Sequence, residues 1–115
     1  MKKVAIFAFR GEVTCFIHVM LNAIDMREKG YEAVVVLEGE ATTLVAKLAD
    51  EASPMHTLFE KTKSLGLFAG ACKACATNLG ALEAVKKEGL PLLDDMHGHP
   101  GMARYMDEGY QIVTF

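Results

Sequence analysis

Two cysteines three positions apart, Cys72 and Cys75, are the residues of this 115-residue chain best suited to chemistry. A C-x-x-C pair serves redox exchange, sulfur transfer or metal ligation, according to its surroundings. Here the apolar run Leu67-Phe68-Ala69 leads into the small residues Gly70 and Ala71, then the cysteines, then a helical pattern ending at Gly89. The first turn of a helix carries unpaired N–H groups and the positive end of the macrodipole. A thiol held there is biased toward thiolate, its pKa falling from roughly 8.5 to between about 3.5 and 7.5. Lys73 sets a positive charge beside both sulfurs. Cys72 and Cys75 are therefore candidate catalytic thiols. The plainer alternative makes them small hydrophobes wedged under a sheet, since free cysteine is among the most buried residue types.

Other side chains narrow the options. Zinc would take Cys72 and Cys75 together with His97 and His99, donor types that suit a tetrahedral site. Only one C-x-x-C is present, however, and neither histidine stands at a diagnostic spacing. A thioredoxin-like reading would put the motif after an earlier strand with a Trp nearby, and this chain has no Trp. The first loop, Phe9-Arg10-Gly11-Glu12-Val13-Thr14, lacks both the G-x-G-x-x-G pattern and the P-loop lysine. Arg10 could still hold an anion near the helix that opens at Cys15, and Cys15 could be a third thiol beside the pair. No serine nucleophile elbow or paired glycosidase carboxylates can be identified. A thiolate that accepts sulfane sulfur as Cys–S–S⁻ and passes it to a partner thiol fits these features best, through the chemistry of thiol–disulfide exchange.

The elements that position these groups alternate. Residues 4–9 form an apolar run of strand length, the pattern of a central strand covered on both faces. A helix over residues 15–29, capped by Thr14, turns Ile17, Met20, Leu21 and Ile24 inward and leaves His18 outside. Residues 31–37 are β-branched and read as the second strand. Helices over residues 41–51 and 54–64 follow, with His56 expected to be exposed. The third strand carries the cysteines into a helix that turns Leu79, Leu82 and Val85 inward. Whether that helix starts just after Cys72 or only after Thr77 stays open. An early start sets the two sulfurs on one face, where they approach each other. Residues 90–93 make a short fourth strand and residues 94–99 a polar loop. A helix from Pro100 buries Met102, Ala103 and Met106, and residues 110–114 close the chain as a fifth strand.

This order predicts one domain over residues 1–115, an α/β/α sandwich with a mainly parallel five-stranded sheet. Loops leaving the carboxyl ends of such strands share one edge, where ligands usually bind. That edge should gather residues 10–15, 71–75 and 94–99. Composition sets the wider limits. The net charge is −3, with 51% hydrophobic and 23% charged residues. No basic face is available for nucleic acid, and no apolar run approaches the roughly 18 to 20 residues of a membrane span. The N-terminal segment reads as a first strand and not a signal peptide. Three cysteines, an odd number, point to free thiols and a cytoplasmic protein.

An early strand with an F-x-x loop, a third strand running into Cys72, a glycine eight positions on at Gly80, and the ending E-G-Y-Q-I-V-T-F at residues 108–115 recur together here. In these features the chain resembles the DsrE/DsrF-like proteins, small single-domain α/β proteins that include sulfur-relay subunits of dissimilatory sulfur metabolism and of tRNA thiolation. The resemblance implies a cytoplasmic sulfur carrier or sulfurtransferase without a cofactor, with Cys72 bearing the persulfide. It also implies a trimer or hexamer and protein partners as sulfur donor and acceptor. Cys75 and the His97-Gly98-His99 loop depart from the simplest pattern of that family, and they keep a metal- or redox-binding homo-oligomer as the alternative.

Overall fold

The computed structural model describes residues Met1–Phe115, the whole chain. Five strands, β1 (Lys3–Ala8), β2 (Glu32–Leu37), β3 (Phe68–Cys72), β4 (Leu92–Leu93) and β5 (Gln111–Thr114), form one sheet in the order β4-β3-β2-β1-β5. Every pairing is parallel. Val4 to Ala8 of β1 are all buried, as a run that is apolar on both faces requires of a strand inside a parallel sheet. The domain is therefore the expected α/β sandwich.

Its two helical layers are unequal, and the strand order explains why. The chain steps from β1 to β2, β3 and β4 in one direction, so right-handed crossovers put the intervening helices on one face. These are α1 (Val13–Glu28), α2 (Leu44–Ala49), α3 (His56–Ser64), α4 (Lys73–Asn78) and α5 (Leu82–Lys87). They close a core of 23 buried residues. The return from β4 across the sheet to β5 puts α6 (Met102–Asp107) on the other face. There Tyr105 covers Ala5, Phe7 and Val36, its ring edge-on to Phe7 at 5.6 Å. No helix is long and apolar enough to cross a membrane.

Several elements depart from the periodicity. Residues 41–51 are not one helix: Gly39–Thr43 is a 3₁₀ turn, tightened because the hydroxyls of Thr42 and Thr43 donate to Gly39 O and Glu40 O at 2.8 and 2.6 Å. The helix after Cys72 breaks in two. Gly80, at φ 74°, closes α4 in a Schellman turn, with Ala81 N–H donating to Ala76 O at 2.7 Å. Leu79 is consequently exposed, as are Leu21 and Met106, all three expected inside. α1 starts at Val13 without a side-chain cap, so Thr14 lies within it. His56 is not free in solvent, because its Nδ1 lies 2.9 Å from Leu48 O.

One irregularity bears directly on the cysteines. Val35 pairs with Phe68 and Val36 with Gly70, so Ala69 is an extra residue in β3. In a strand, a shift by one exchanges the two faces for everything that follows. This bulge therefore decides on which side Cys72 emerges. Gly70 holds it at φ 154°, where a Cβ would sit 2.5 Å from the Pro91 carbonyl oxygen of the neighbouring segment. Gly70→Ala should lower the unfolding free energy by roughly 2–4 kcal/mol in urea melts. Gly66→Ala, at φ 72° with nothing within 4 Å, should cost only about 1 kcal/mol. Equal losses would show that strand pairing does not depend on the bulge.

Candidate functional site

Three strand ends build the site. β2 ends at Leu37, and the next residue, Glu38, is buried with 8% of its surface exposed. β3 ends at Cys72, which is also the N-cap of α4: its Sγ accepts from Cys75 N–H at 3.3 Å. The helix thus begins at once, and Cys75 stands one turn in, on the same side as Cys72. After β4, His97 and Gly98 take φ of 50° and 89°, the handedness of a type I′ hairpin turn. Met96 and His99 close that turn with paired backbone bonds of 2.7 and 2.9 Å. Ala74 N–H donates to Gly98 O at 2.9 Å, which docks the turn on the first residues of α4. The ring of His99 is thereby brought back onto the sulfurs.

The result is a compact cluster. His99 Nδ1 lies 3.1 Å from Cys72 Sγ and 3.7 Å from Cys75 Sγ. With a Glu38 carboxylate oxygen, these donor atoms all fall within 4.8 Å of one another. Cys72 is wholly buried, whereas Cys75 and His99 are half-buried. Burial pushes the Cys72 thiol up to about 12, aided by the Cys75 thiol and the Glu38 charge and opposed by the Cys75 N–H. Burial thus works against the helix-end position and holds the Cys72 thiol above its ordinary value. Burial also raises the Glu38 carboxyl, against the pull of His99 and a hydrogen bond with Cys72.

The candidates read from the sequence divide cleanly. Cys72, Cys75 and His99 come together. His97 does not; it is exposed at the tip of the turn, and Glu38 stands in the cluster where the sequence suggested a second histidine. Arg10 is exposed and pairs with Glu12 at 3.5 Å, while Lys73 is exposed and lies 3.7 Å from Asp94. Neither cation reaches the sulfurs. Cys15 is half-buried in α1, outside the cluster. Glu38 had a usable signal, since it directly follows an apolar strand and its loop leaves the same sheet edge. Beside the cluster lies a cavity of about 580 Å³ walled by Phe9, Met96, Met102 and Ala103, with Glu38 and His99 as its only ionisable groups.

No family model matches this chain. It is 36% identical over 96 residues to uncharacterized protein MJ0733 of Methanocaldococcus jannaschii, an alignment covering 84% of this chain and 76% of that protein. An uncharacterized protein of Archaeoglobus fulgidus is 41% identical over 49 residues, covering 43% of this chain and 80% of its own length. Among solved structures, a conserved protein of unknown function from Bacteroides thetaiotaomicron, BT1422, superimposes with a TM-score of 0.75 at 19% identity. The superposition covers 99% of this chain and 95% of that one, and it establishes a shared fold. By the extent and identity of the first match, this chain belongs to the same family as the Methanocaldococcus jannaschii protein MJ0733.

Proposed function

We propose that this protein is a thiol-based carrier of sulfane sulfur in which Cys75, and not Cys72, is the thiol that reacts. One observation carries the reading: two thiols share a single imidazole, and only Cys75 of the two is open to solvent. The sulfur-relay role implied by the DsrE/DsrF-like resemblance is consistent with it.

The chemistry balances without a cofactor. Cys75 gives its proton to His99 and attacks the outer sulfur of a small-molecule or protein persulfide. The donor's S–S bond breaks, its inner sulfur leaves as thiolate with the electron pair, and Cys75 becomes Cys75–S–SH. An acceptor thiolate then takes the terminal sulfur, returning Cys75 to thiolate. When no acceptor arrives, His99, having passed its first proton to the departing thiolate, takes the proton of Cys72. The Cys72 thiolate then attacks the inner sulfur, giving a Cys72–Cys75 disulfide and releasing hydrosulfide. The separation of roles follows from burial, because an enclosed sulfur, once deprotonated, reaches only what is already beside it.

Incubation with a persulfide donor should add the mass of one sulfur lastingly to Cys72→Ser, add it to the wild-type chain only until the Cys72–Cys75 disulfide forms, and add none to Cys75→Ser. His99→Ala should slow the gain by about 10²-fold at neutral pH and much less under alkaline conditions, as loss of a proton acceptor requires. Sulfur gained by Cys75→Ser at the wild-type rate would return the role to Cys72.

A second measurement follows from the raised Cys72 thiol. Its ordinary value in an unfolded chain is about 8.5, so the folded state keeps a proton that the unfolded state loses above that pH. Its contribution to stability is whole below about 8.5 and declines as pH climbs toward 12. Urea melts should therefore show a loss of stability above about pH 9 that is reduced in Cys72→Ser. Native-state alkylation at neutral pH should leave Cys72 unmodified. Rapid labelling of Cys72 there would contradict its burial.

A further inference from the structure

We infer that Glu38, Cys72, Cys75 and His99 together form a binding site for one borderline-soft divalent metal ion of the zinc class. The inference goes beyond the carrier reading and stands independently of it, on the convergence of four different donor groups from three separate strand ends.

Geometry is the first support. Zinc–sulfur and zinc–nitrogen bonds of about 2.3 and 2.0 Å at a tetrahedral angle put S and N roughly 3.6 Å apart. His99 Nδ1 stands 3.1 and 3.7 Å from the two sulfurs, and the Glu38 oxygen completes a set no wider than 4.8 Å. Small movements of side chains would close this set around an ion. The second support is what the cluster lacks. Glu38 is more than nine-tenths buried, yet no lysine or arginine pairs with it, and every salt bridge of the chain lies elsewhere. Three potential anions thus share an enclosed space with one imidazole and no fixed cation.

The supporting contacts fit as well. Cys75 N–H donates to Cys72 Sγ, and the Ala74–Gly98 backbone bond fixes the loop that delivers His99. Such outer contacts orient ligands and change metal affinity by about 10–100-fold. Two sulfurs and an imidazole favour zinc over magnesium or calcium, which prefer all-oxygen sites. Four protein ligands leave no open position, so the site has the closed form of a structural centre. An ion here would occupy Cys75 and compete with sulfur for it.

The test uses the full chain, stripped of metal under reducing conditions and titrated with zinc alone or cobalt(II) alone. One ion per chain is expected, with cobalt giving tetrahedral d–d bands and a thiolate-to-cobalt charge-transfer band. Cys75→Ser should lose the charge-transfer intensity of one thiolate and bind at least 10-fold more weakly, and Glu38→Gln should weaken binding by 10-fold or more while keeping both sulfur bands. His97→Ala should bind as the wild type does. Circular dichroism of each metal-free variant confirms that it is folded. Absence of stoichiometric binding by the folded wild type would overturn the site, as would equal loss in His97→Ala and Glu38→Gln. Persulfide loading of the metal-free protein separates the two readings. Sulfur gain without metal binding removes the metal site alone, and metal binding without sulfur gain removes the carrier role alone. Where both occur, one equivalent of zinc should block the gain of sulfur, and undiminished sulfur gain at full zinc occupancy would exclude Cys75 as a ligand.

Discussion

The hydrogen bond from Cys75 N–H to Cys72 Sγ makes one residue both the end of a strand and the cap of a helix. Most caps are oxygen side chains on a residue of their own. Here the sulfur does the capping, so the helix begins with no intervening loop and Cys75 is carried back over Cys72 within a single turn. The backbone N–H of Ala74, next along that turn, is left to hold Gly98. Two successive N–H groups of one helical turn therefore position the thiols and the imidazole. The strand supplies the remaining precision: without the extra residue at Ala69, Cys72 would leave β3 on the other face.

The state of Cys72 is decided by two effects of unequal size. A charge at a helix end gains about 0.3–1 kcal/mol, less than one pKa unit. Burial of an ionisable group can shift it by up to 3–5 units the other way. α4 has only six residues, and Cys72 has no exposed surface. Desolvation wins, and the thiol is pushed up to about 12 rather than down. Cys75 occupies the same turn but is half-buried, so the two thiols of a symmetric-looking motif differ in their access to solvent.

The parallel sheet, its five strands and the meeting of Cys72 with Cys75 were legible because each rests on a local signal. Apolar runs mark buried parallel strands, and the C-x-x-C spacing matches a helical turn. Glu38 carries a weaker signal, a carboxylate in a loop without cysteine or histidine, although every β-to-α loop of a parallel sheet opens on the same edge. The choice between His97 and His99 was not legible. Both belong to one short loop, and only the paired positive φ angles of His97 and Gly98 turn the second ring inward and the first outward. The layer imbalance was equally hidden, since strand order is a long-range property. Leu21, Leu79 and Met106 fit an amphipathic stripe and still face outward, Leu79 because Gly80 breaks its helix.

The four clustered groups pose a problem of charge that the fold leaves open. Two thiols and a carboxyl can each lose a proton, but three anions within 4.8 Å would repel strongly where water is scarce. His99 can neutralise one of them at most. The protein alone resolves this by keeping protons: burial raises both Cys72 and Glu38. A divalent cation would resolve it by replacing those protons, because metal ligation by thiols releases them. Sulfur on Cys75 would resolve it by moving the reactive charge one atom outward, toward solvent. Under the two proposals, proton, cation and sulfane sulfur would be competing answers to one electrostatic constraint, selected by what reaches the edge of the sheet.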